Sequence, residues 1–161
     1  MNQTNRSGEA EMLRLADSFS HQLGVTARRV SQLFAGQYEA HCSLNPAEWR
    51  VLSVIAEQGT VSPSAVSVAS DMDKVRVSRA VASLVQRGLV KQVTDTRDGR
   101  VRQLSLTRKG ATTHAAAEPL TRNLETALAD GMSKADFAAL RKALSLLDAQ
   151  AAKLSNGAEQ D

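Results

Sequence analysis

The chain has few of the residues that define several large classes of protein. Of its 161 residues only 3% are aromatic, and only one is a cysteine. A single cysteine cannot form an intrachain disulfide, so nothing in the sequence indicates an oxidising compartment. No apolar run approaches the roughly 20 residues needed to span a bilayer, and the polar amino terminus contains no signal-peptide core. We therefore expect a cytoplasmic protein without a membrane partner.

Catalytic motifs are also missing. The sequence contains no phosphate-cradling glycine loop, no zinc-ligand spacing and no nucleophile motif. Its three histidines, at positions 21, 41 and 114, are scattered along the chain. An enzyme is thus the least favoured class, and we predict neither a metal nor a cofactor.

Helix-forming residues and a local excess of positive charge are what the sequence does contain. Ala, Leu, Val and Ser dominate, which favours packed helices over a large sheet. Between residues 74 and 109, ten Lys or Arg stand against two acidic residues. That segment carries +8, although the whole chain carries only +3. Such a local concentration of charge is typical of a surface that binds phosphates.

The most informative stretch is a predicted β-hairpin. Leu89–Thr94 and Val101–Leu106 are the predicted strands, and the turn between them holds an Asp-Gly pair flanked by arginines. Arg97 in this turn is the first candidate to enter a minor groove, because Asp95 can hold its guanidinium in one orientation. Arg100 is a second candidate, for a phosphate or for bracing the turn. The alternative is that the Asp–Arg pair only stabilises the hairpin.

Two predicted helices directly before the hairpin form a helix-turn-helix. The first begins with a Ser-Pro cap and ends near residue 69, and the second runs from about residue 73 to residue 87. On a helical wheel the second helix buries Val77, Val81 and Leu84. The opposite side of the wheel holds Val75, Arg76, Arg79, Ala82, Ser83 and Gln86.

The amino-terminal half of the second helix is expected to meet base edges. Its two arginines can donate bidentately to guanine, its first valine can touch a thymine methyl group, and the flanking lysine and serine suit phosphates. The alternative is that the arginines are ordinary solvated side chains. The candidate DNA-binding residues of the two helices are Ser62, Ser64, Lys74, Val75, Arg76, Ser78 and Arg79.

Long amphipathic helices are predicted on either side of the helix-turn-helix. Apolar residues at three- and four-residue steps predict a first helix from about Ala10 to His41. Asn45 and Glu48 form a capping box at the start of the next helix. After the hairpin, Pro119 is expected to kink or interrupt a fifth helix, and Ser133 is expected to cap the last one. These apolar stripes are too long for a small core to cover, which indicates a second subunit.

These features together resemble the MarR family (multiple antibiotic resistance regulators). The resemblance lies in residues 44–52 and 73–81, in an Asp-x-Arg-x-x-Arg pattern at 95–100, and in residues 104–110. It covers roughly residues 10–155. The resemblance implies a mainly α fold with a small β-wing, a winged helix-turn-helix with long dimerisation helices at both ends. It also implies a homodimer, a palindromic operator in double-stranded DNA, and repression that a small molecule relieves.

The same resemblance gives the expected organisation of the chain. One domain is expected over residues 10–154, with a disordered segment at each end. The parts are a disordered amino terminus (1–9), dimerisation helices (10–43 and 108–154), a winged helix-turn-helix lobe (44–107) and a disordered tail (155–161).

The resemblance also implies an effector site, because ligands of the family often bind between the dimer helices and the winged lobe. An aromatic or acidic small molecule is the expected effector. Two of the candidates, Tyr38 and Trp49, can equally be plain core residues, and His41 can be a loop-packing residue. The candidate ligand-binding residues are Arg28, Arg29, Phe34, Tyr38, His41, Trp49 and Arg50.

Two other functions stay open. Some relatives sense peroxides through a cysteine, so Cys42 could make the protein a redox-sensing repressor, although those sensors carry their cysteine near the start of the first helix. The other alternative is a winged-helix module that binds proteins and not DNA. A salt-dependent shift of duplex DNA discriminates between DNA binding and the second alternative.

Overall fold

We describe a computed structural model of the chain, which covers residues 14–94 and 102–158. These residues form a mainly α fold with one two-stranded antiparallel sheet, as the sequence predicts. A 3₁₀ turn, Leu15–Asp17, precedes the first helix. The elements are α1 (Phe19–Cys42), α2 (Pro46–Gln58), α3 (Pro63–Ser70), α4 (Lys74–Gln86), β1 (Val90–Thr94), β2 (Arg102–Leu106), α5 (Arg108–Leu128) and α6 (Lys134–Ala158).

The chain divides into two compact units, Met1–Ala117 and Glu118–Asp161. The division falls inside α5. The first unit therefore contains all of the predicted winged lobe together with α1 and the start of α5. The second unit contains the rest of α5 and all of α6.

Local capping residues fix where the helices of the winged lobe begin. The Asn45 side chain accepts hydrogen bonds from the next two backbone amides at 3.0 Å, and Glu48 Oε2 accepts from the Asn45 amide at 2.9 Å. This confirms the predicted capping box. Ser62 and Asp73 cap α3 and α4 by accepting from the backbone amide three residues later, at 3.1 and 2.8 Å. The first turn of each of these two helices is thus fixed by its own cap.

The hydrophobic core of the first unit lies between α2, α3, α4 and the sheet. β1 and β2 pair in a register that runs from Val90↔Leu106 to Thr94↔Arg102. Val61, in the connection between α2 and α3, exchanges two backbone hydrogen bonds with Leu104 of β2, at 3.0 and 2.8 Å. These bonds fix the wing against the helix-turn-helix. The largest fully buried side chains are Leu44, Leu52, Ile55, Leu84, Leu89 and Leu104.

Three boundaries differ from the sequence-based expectation. The first helix begins at Phe19 and not near residue 10, because Ser18 is extended (φ −68°, ψ 122°). Apolar periodicity runs through this break and cannot locate it. α5 is not interrupted at Pro119 but continues to Leu128, since the loss of one helical hydrogen bond at a proline does not force the helix to end. α6 extends to Ala158, past the residue 155 at which we placed the start of a disordered tail.

Candidate nucleic-acid interface

The first half of α4 presents a polar and basic surface to solvent. On the opposite side of the helix, the side chains at positions 77, 81 and 84 are buried in the core. The polar and basic side of α4 therefore faces solvent. Val75 is 61% exposed, which is unusual for a valine and leaves its methyl groups free for contact. The structure brings five predicted residues together on this surface: Lys74, Val75, Arg76, Ser78 and Arg79.

A groove of about 340 Å³ lies beside this surface, between α3, α4 and the two wing strands. Three predicted DNA-binding residues line it, Ser64 from α3 and Lys74 and Ser78 from α4. The wing contributes Gln92 and Arg102, which the sequence analysis missed. The groove therefore joins polar and basic side chains of the helix-turn-helix to those of the wing.

The strand register explains why two wing residues reach the groove. Alternate residues of a strand point to the same face of the sheet. Leu104 is buried and pairs with Gln92, and Arg102 lies two residues before Leu104 on the same strand. The alternation of side chains along the strand could therefore have predicted that Arg102 lies on the same face of the sheet as the apolar Leu104.

Ser62 directly precedes the two residues of α3 that line the groove, Pro63 and Ser64. Ser62 is half-buried, and its hydroxyl oxygen serves as the cap of α3, while its O–H remains able to donate. Asp95, Arg97 and Arg100 lie outside the described residues, so their roles at the wing tip stay predictions. The strands that lead to the tip end at an exposed pair, Thr94 and Arg102.

A buried carboxylate holds the flank of α4 that faces α2. Glu48 is only 4% exposed; its Oε1 accepts from Ser83 Oγ at 2.5 Å, and its Oε2 accepts from Arg87 Nη1 at 3.2 Å. Arg87 Nη2 also donates to the Cys42 carbonyl at 3.4 Å. The helical wheel placed Ser83 on the side away from the core, and that placement is wrong, because α2 covers this flank of the helix.

At the junction between the wing and α5, the Thr107 side chain bonds to the backbone and Gly110 lies close to the backbone of Leu89. Thr107 Oγ1 donates to the Gly88 carbonyl at 2.7 Å and accepts from the Gly110 amide at 3.0 Å. A Cβ atom added to Gly110 would lie 1.9 Å from the Leu89 carbonyl oxygen. Only a glycine fits at this position without moving the backbone of the wing base or of α5.

Three of the predicted ligand-binding residues form an aromatic cluster with a fourth residue. Ring centroids lie 6.1 Å apart for Phe34–Tyr38 and 4.8 Å apart for Tyr38–Trp49. Trp49 also stacks on His114, at 4.9 Å and an interplanar angle of 8°. His114 had been assigned no role. Because Tyr38 is buried and Trp49 is stacked on two rings, this packing agrees with the alternative that both are core residues.

The other predicted ligand-binding residues are exposed and lie outside this aromatic cluster. His41 Nδ1 is 3.1 Å from the Gln37 carbonyl oxygen in the last turns of α1. The side chain at position 29 borders a shallow surface groove on α1. These exposed residues are Arg28, Arg29, His41 and Arg50.

A model of the MarR family matches residues 43–101, from the end of α1 to the wing turn. These residues are similar to the MarR family. They contain α2, α3, α4 and β1, and therefore the exposed basic surface of α4. MarR-family proteins are transcription regulators and not enzymes, in agreement with the class that the sequence favours.

Solved structures extend the likeness to most of the chain. A probable transcriptional regulator from Pseudomonas aeruginosa is 26% identical, with a TM-score of 0.72 over 83% of this chain and 99% of its own. Bordetella bronchiseptica BpsR, whose DNA binding is regulated by 6-hydroxynicotinic acid, is 21% identical, with a TM-score of 0.79 over 85% and 97% of the two chains. The repressor CouR, bound to a 23-mer DNA duplex, is 22% identical, with a TM-score of 0.77 over 85% and 99%. No curated protein sequence matches this one.

Cys42, the candidate redox sensor, is a half-buried free thiol. Burial raises the pKa of the Cys42 thiol. Because the thiolate is the reactive form, a raised pKa lowers the reactivity of the thiol at neutral pH. This environment counts against redox sensing through Cys42.

Within residues 14–94 and 102–158, no group of three or more His, Cys, Asp or Glu side chains is placed to hold a metal ion. None of the helices in the described part of the chain combines the length and apolar character needed to cross a membrane.

Proposed function

We propose that the protein is a homodimeric repressor that binds a palindromic operator in double-stranded DNA and is released by a small molecule. It would act on DNA in the cytoplasm. The observation that carries the proposal is the exposed surface of α4, on which Lys74, Arg76 and Arg79 stand beside the groove that the wing closes. A helix of this kind fits the major groove, where arginines distinguish guanine from other bases.

In this proposal the amino-terminal half of α4 lies in the major groove. Arg76 and Arg79 donate to guanine, and the exposed methyl groups of Val75 contact thymine. Lys74 and Ser78 bind phosphates, where the amino-terminal amides of the helix already favour a negative charge. Ser62 and Ser64 at the start of α3 donate hydrogen bonds to phosphates of the same DNA backbone.

The wing completes the DNA contact. Arg102 faces the groove beside α4, and its charge suits a phosphate of the strand that passes there. Beyond it, Arg97 is proposed to enter the minor groove, oriented by Asp95, and Arg100 to bind a phosphate or brace the turn. One strand of DNA backbone would thus run between the helix-turn-helix and the wing.

Exposed apolar side chains support the homodimer. Phe19 and Leu33 of α1 are 62% and 51% exposed, and Leu144 and Leu154 of α6 are 44% and 66% exposed. Soluble chains seldom leave so many large apolar side chains along long helices in water. A second copy that covers them creates a two-fold axis, and a two-fold protein reads a palindromic site.

The proposed effector is a small aromatic or acidic molecule. BpsR, which shares the fold, has its DNA binding regulated by 6-hydroxynicotinic acid, a small aromatic acid. The arginines at positions 28, 29 and 50 are the candidate partners of an effector carboxylate, and His41 and the aromatic cluster are the candidate apolar contacts. Cys42 and a protein-binding module remain the alternatives to this effector and to DNA binding.

One set of titrations tests DNA binding. Duplexes selected by the protein from a random-sequence library should bind more tightly than scrambled duplexes, and the affinity should fall steeply with salt. Failure to select any duplex would overturn the proposal in favour of the protein-binding module. Loss of binding on peroxide treatment, absent in Cys42→Ser, would favour the redox alternative.

A further inference from the structure

The buried carboxylate behind α4 has more partners than a helix cap requires. We propose that Glu48 is a positioning residue: through Ser83 and Arg87, it sets the orientation in which α4 presents Arg76 and Arg79 to DNA. This inference rests on the proposed DNA binding and adds a residue that would not itself touch DNA.

Helical spacing connects the carboxylate to the base-reading end of α4. Ser83 and Arg87 follow Arg76 by seven and eleven residues, which are two and three turns of a helix, so the three side chains lie along one flank. At about 1.5 Å per residue, Arg87 is about 16 Å from Arg76 along the axis. A rotation of the helix about its axis at Glu48 therefore turns Arg76 by the same angle.

The bonds of the carboxylate have a fixed length and direction, unlike apolar contacts. Oε1 accepts from Ser83 Oγ, whereas Oε2 accepts from Arg87 Nη1 and from the Asn45 amide. Apolar side chains can slide past one another at small cost, but charge-assisted hydrogen bonds in a buried site cannot. The two oxygens thus fix both the rotation of α4 and its position along α2.

Arg87 extends this connection to two further helices. Its Nη2 donates to the Cys42 carbonyl at the end of α1, and its own carbonyl accepts from Lys109 Nζ of α5 at 3.0 Å. The carboxyl end of α4 is therefore tied to α1, α2 and α5, while its amino-terminal half is exposed. The bonds at the carboxyl end of α4 can therefore set the orientation of its exposed amino-terminal half.

The Glu48 carboxylate is buried and the Arg87 side chain is 32% exposed, and such an ion pair is expected to contribute more to orientation than to stability. Removing a charge from water costs roughly as much free energy as the pairing returns. If Glu48 acts by positioning, its loss should reduce the preference of the protein for its selected duplex more than it reduces binding to any DNA. A purely structural role would not change that preference.

The test uses the full-length chain and duplexes that the wild-type protein selects from a random-sequence library. Glu48→Gln keeps the size of the side chain and its bond to the Asn45 amide, but removes the charge. The ratio of affinities for the selected and scrambled duplexes should fall about ten-fold, because a displaced arginine loses part of a base contact. The salt slope on scrambled DNA should not change. Glu57→Gln, an exposed glutamate on the same helix, is the matched control and should leave both unchanged.

Two further variants show whether the effect travels through Arg87. Arg87→Met should lower the same ratio, and the double variant with Glu48→Gln should lower it no further than either single change. Ser83→Ala removes one hydrogen bond and gives a milder test if the other variants do not fold.

Three results would overturn the inference. Glu48→Gln and Ser83→Ala proteins that fold and keep the wild-type ratio show that the carboxylate does not position α4. An equal loss on both duplexes assigns Glu48 a structural role. Failure of the wild-type protein to select any duplex overturns the proposed function itself, and is distinguished from the other two because it appears without any substitution.

Discussion

The winged lobe and α6 differ in how far their apolar side chains are buried by the rest of the chain. In the lobe, Leu52, Leu84 and Leu104 are fully buried by residues of the same chain. In α6, no described side chain is buried, and Leu144 and Leu154 remain 44% and 66% exposed. The lobe therefore has a core of its own, whereas the apolar stripe of α6 is left exposed within the described part of the chain.

The largest expected effect tests the proposal that a second copy of the chain covers the apolar stripe of α6. Leu144→Asp places a charge in the stripe of each copy and should weaken dimerisation by about 4 kcal/mol, or roughly a thousand-fold, from two lost leucine burials. Light scattering over a dilution series measures it, with the exposed Gln150→Asp of the same helix as the control. A folded wild-type monomer at micromolar concentration would contradict the comparison.

The next effect tests how tightly the lobe is closed. Gly110→Ala should lower the free energy of unfolding by about 3 kcal/mol, because its Cβ would lie 1.9 Å from the Leu89 carbonyl oxygen. Gly157→Ala in α6 meets nothing within 4 Å and should change it by less than about 1 kcal/mol. Urea unfolding of both variants measures the difference, and equal values would show that the junction yields.

Two substitutions on the exposed surface of the lobe should leave its stability unchanged and affect only DNA binding. Arg79→Ala should weaken binding to the selected duplex alone by about 1–3 kcal/mol, because a base contact is lost. Lys74→Ala should weaken binding to all duplexes and lower the salt slope by about one. Salt-series titrations separate them. An equal loss of both affinities in Arg79→Ala would make Arg79 a phosphate contact.

The smallest effect concerns Cys42. Since burial raises the pKa of its thiol, less thiolate is present at neutral pH than in a free thiol. Alkylation by iodoacetamide should therefore be slower than that of glutathione at pH 7, and should accelerate at higher pH as the thiolate forms. A rate above that of glutathione would revive the redox alternative.

The features that the sequence predicted are those that depend on neighbours along the chain. The side chains of Asn45 and Ser62 cap their helices by accepting hydrogen bonds from the backbone amides three residues later, so local patterns suffice to find them. The pairing of Glu48 with Ser83 joins positions 35 residues apart and depends on how α2 crosses α4. No local pattern carries that information.

The candidate site divides along the same line. The exposed basic side chains of α4 follow from helical periodicity, whereas Arg102 requires the register of the hairpin against the core. His114 was overlooked because an isolated histidine has no pattern, and only the packing of α5 beside α2 places it on Trp49. A periodic surface can thus be predicted from sequence more readily than a contact between distant elements.

Trp49 provides an intrinsic fluorescence probe of the protein. It is the only tryptophan in the chain, and it stacks on Tyr38 of α1 and His114 of α5. The emission of an indole depends on the rings and charges around it, so we expect a displacement among these three helices to change the emission of this residue. The proposed binding of an effector and of DNA can therefore be tested by intrinsic fluorescence, with no label attached to either partner.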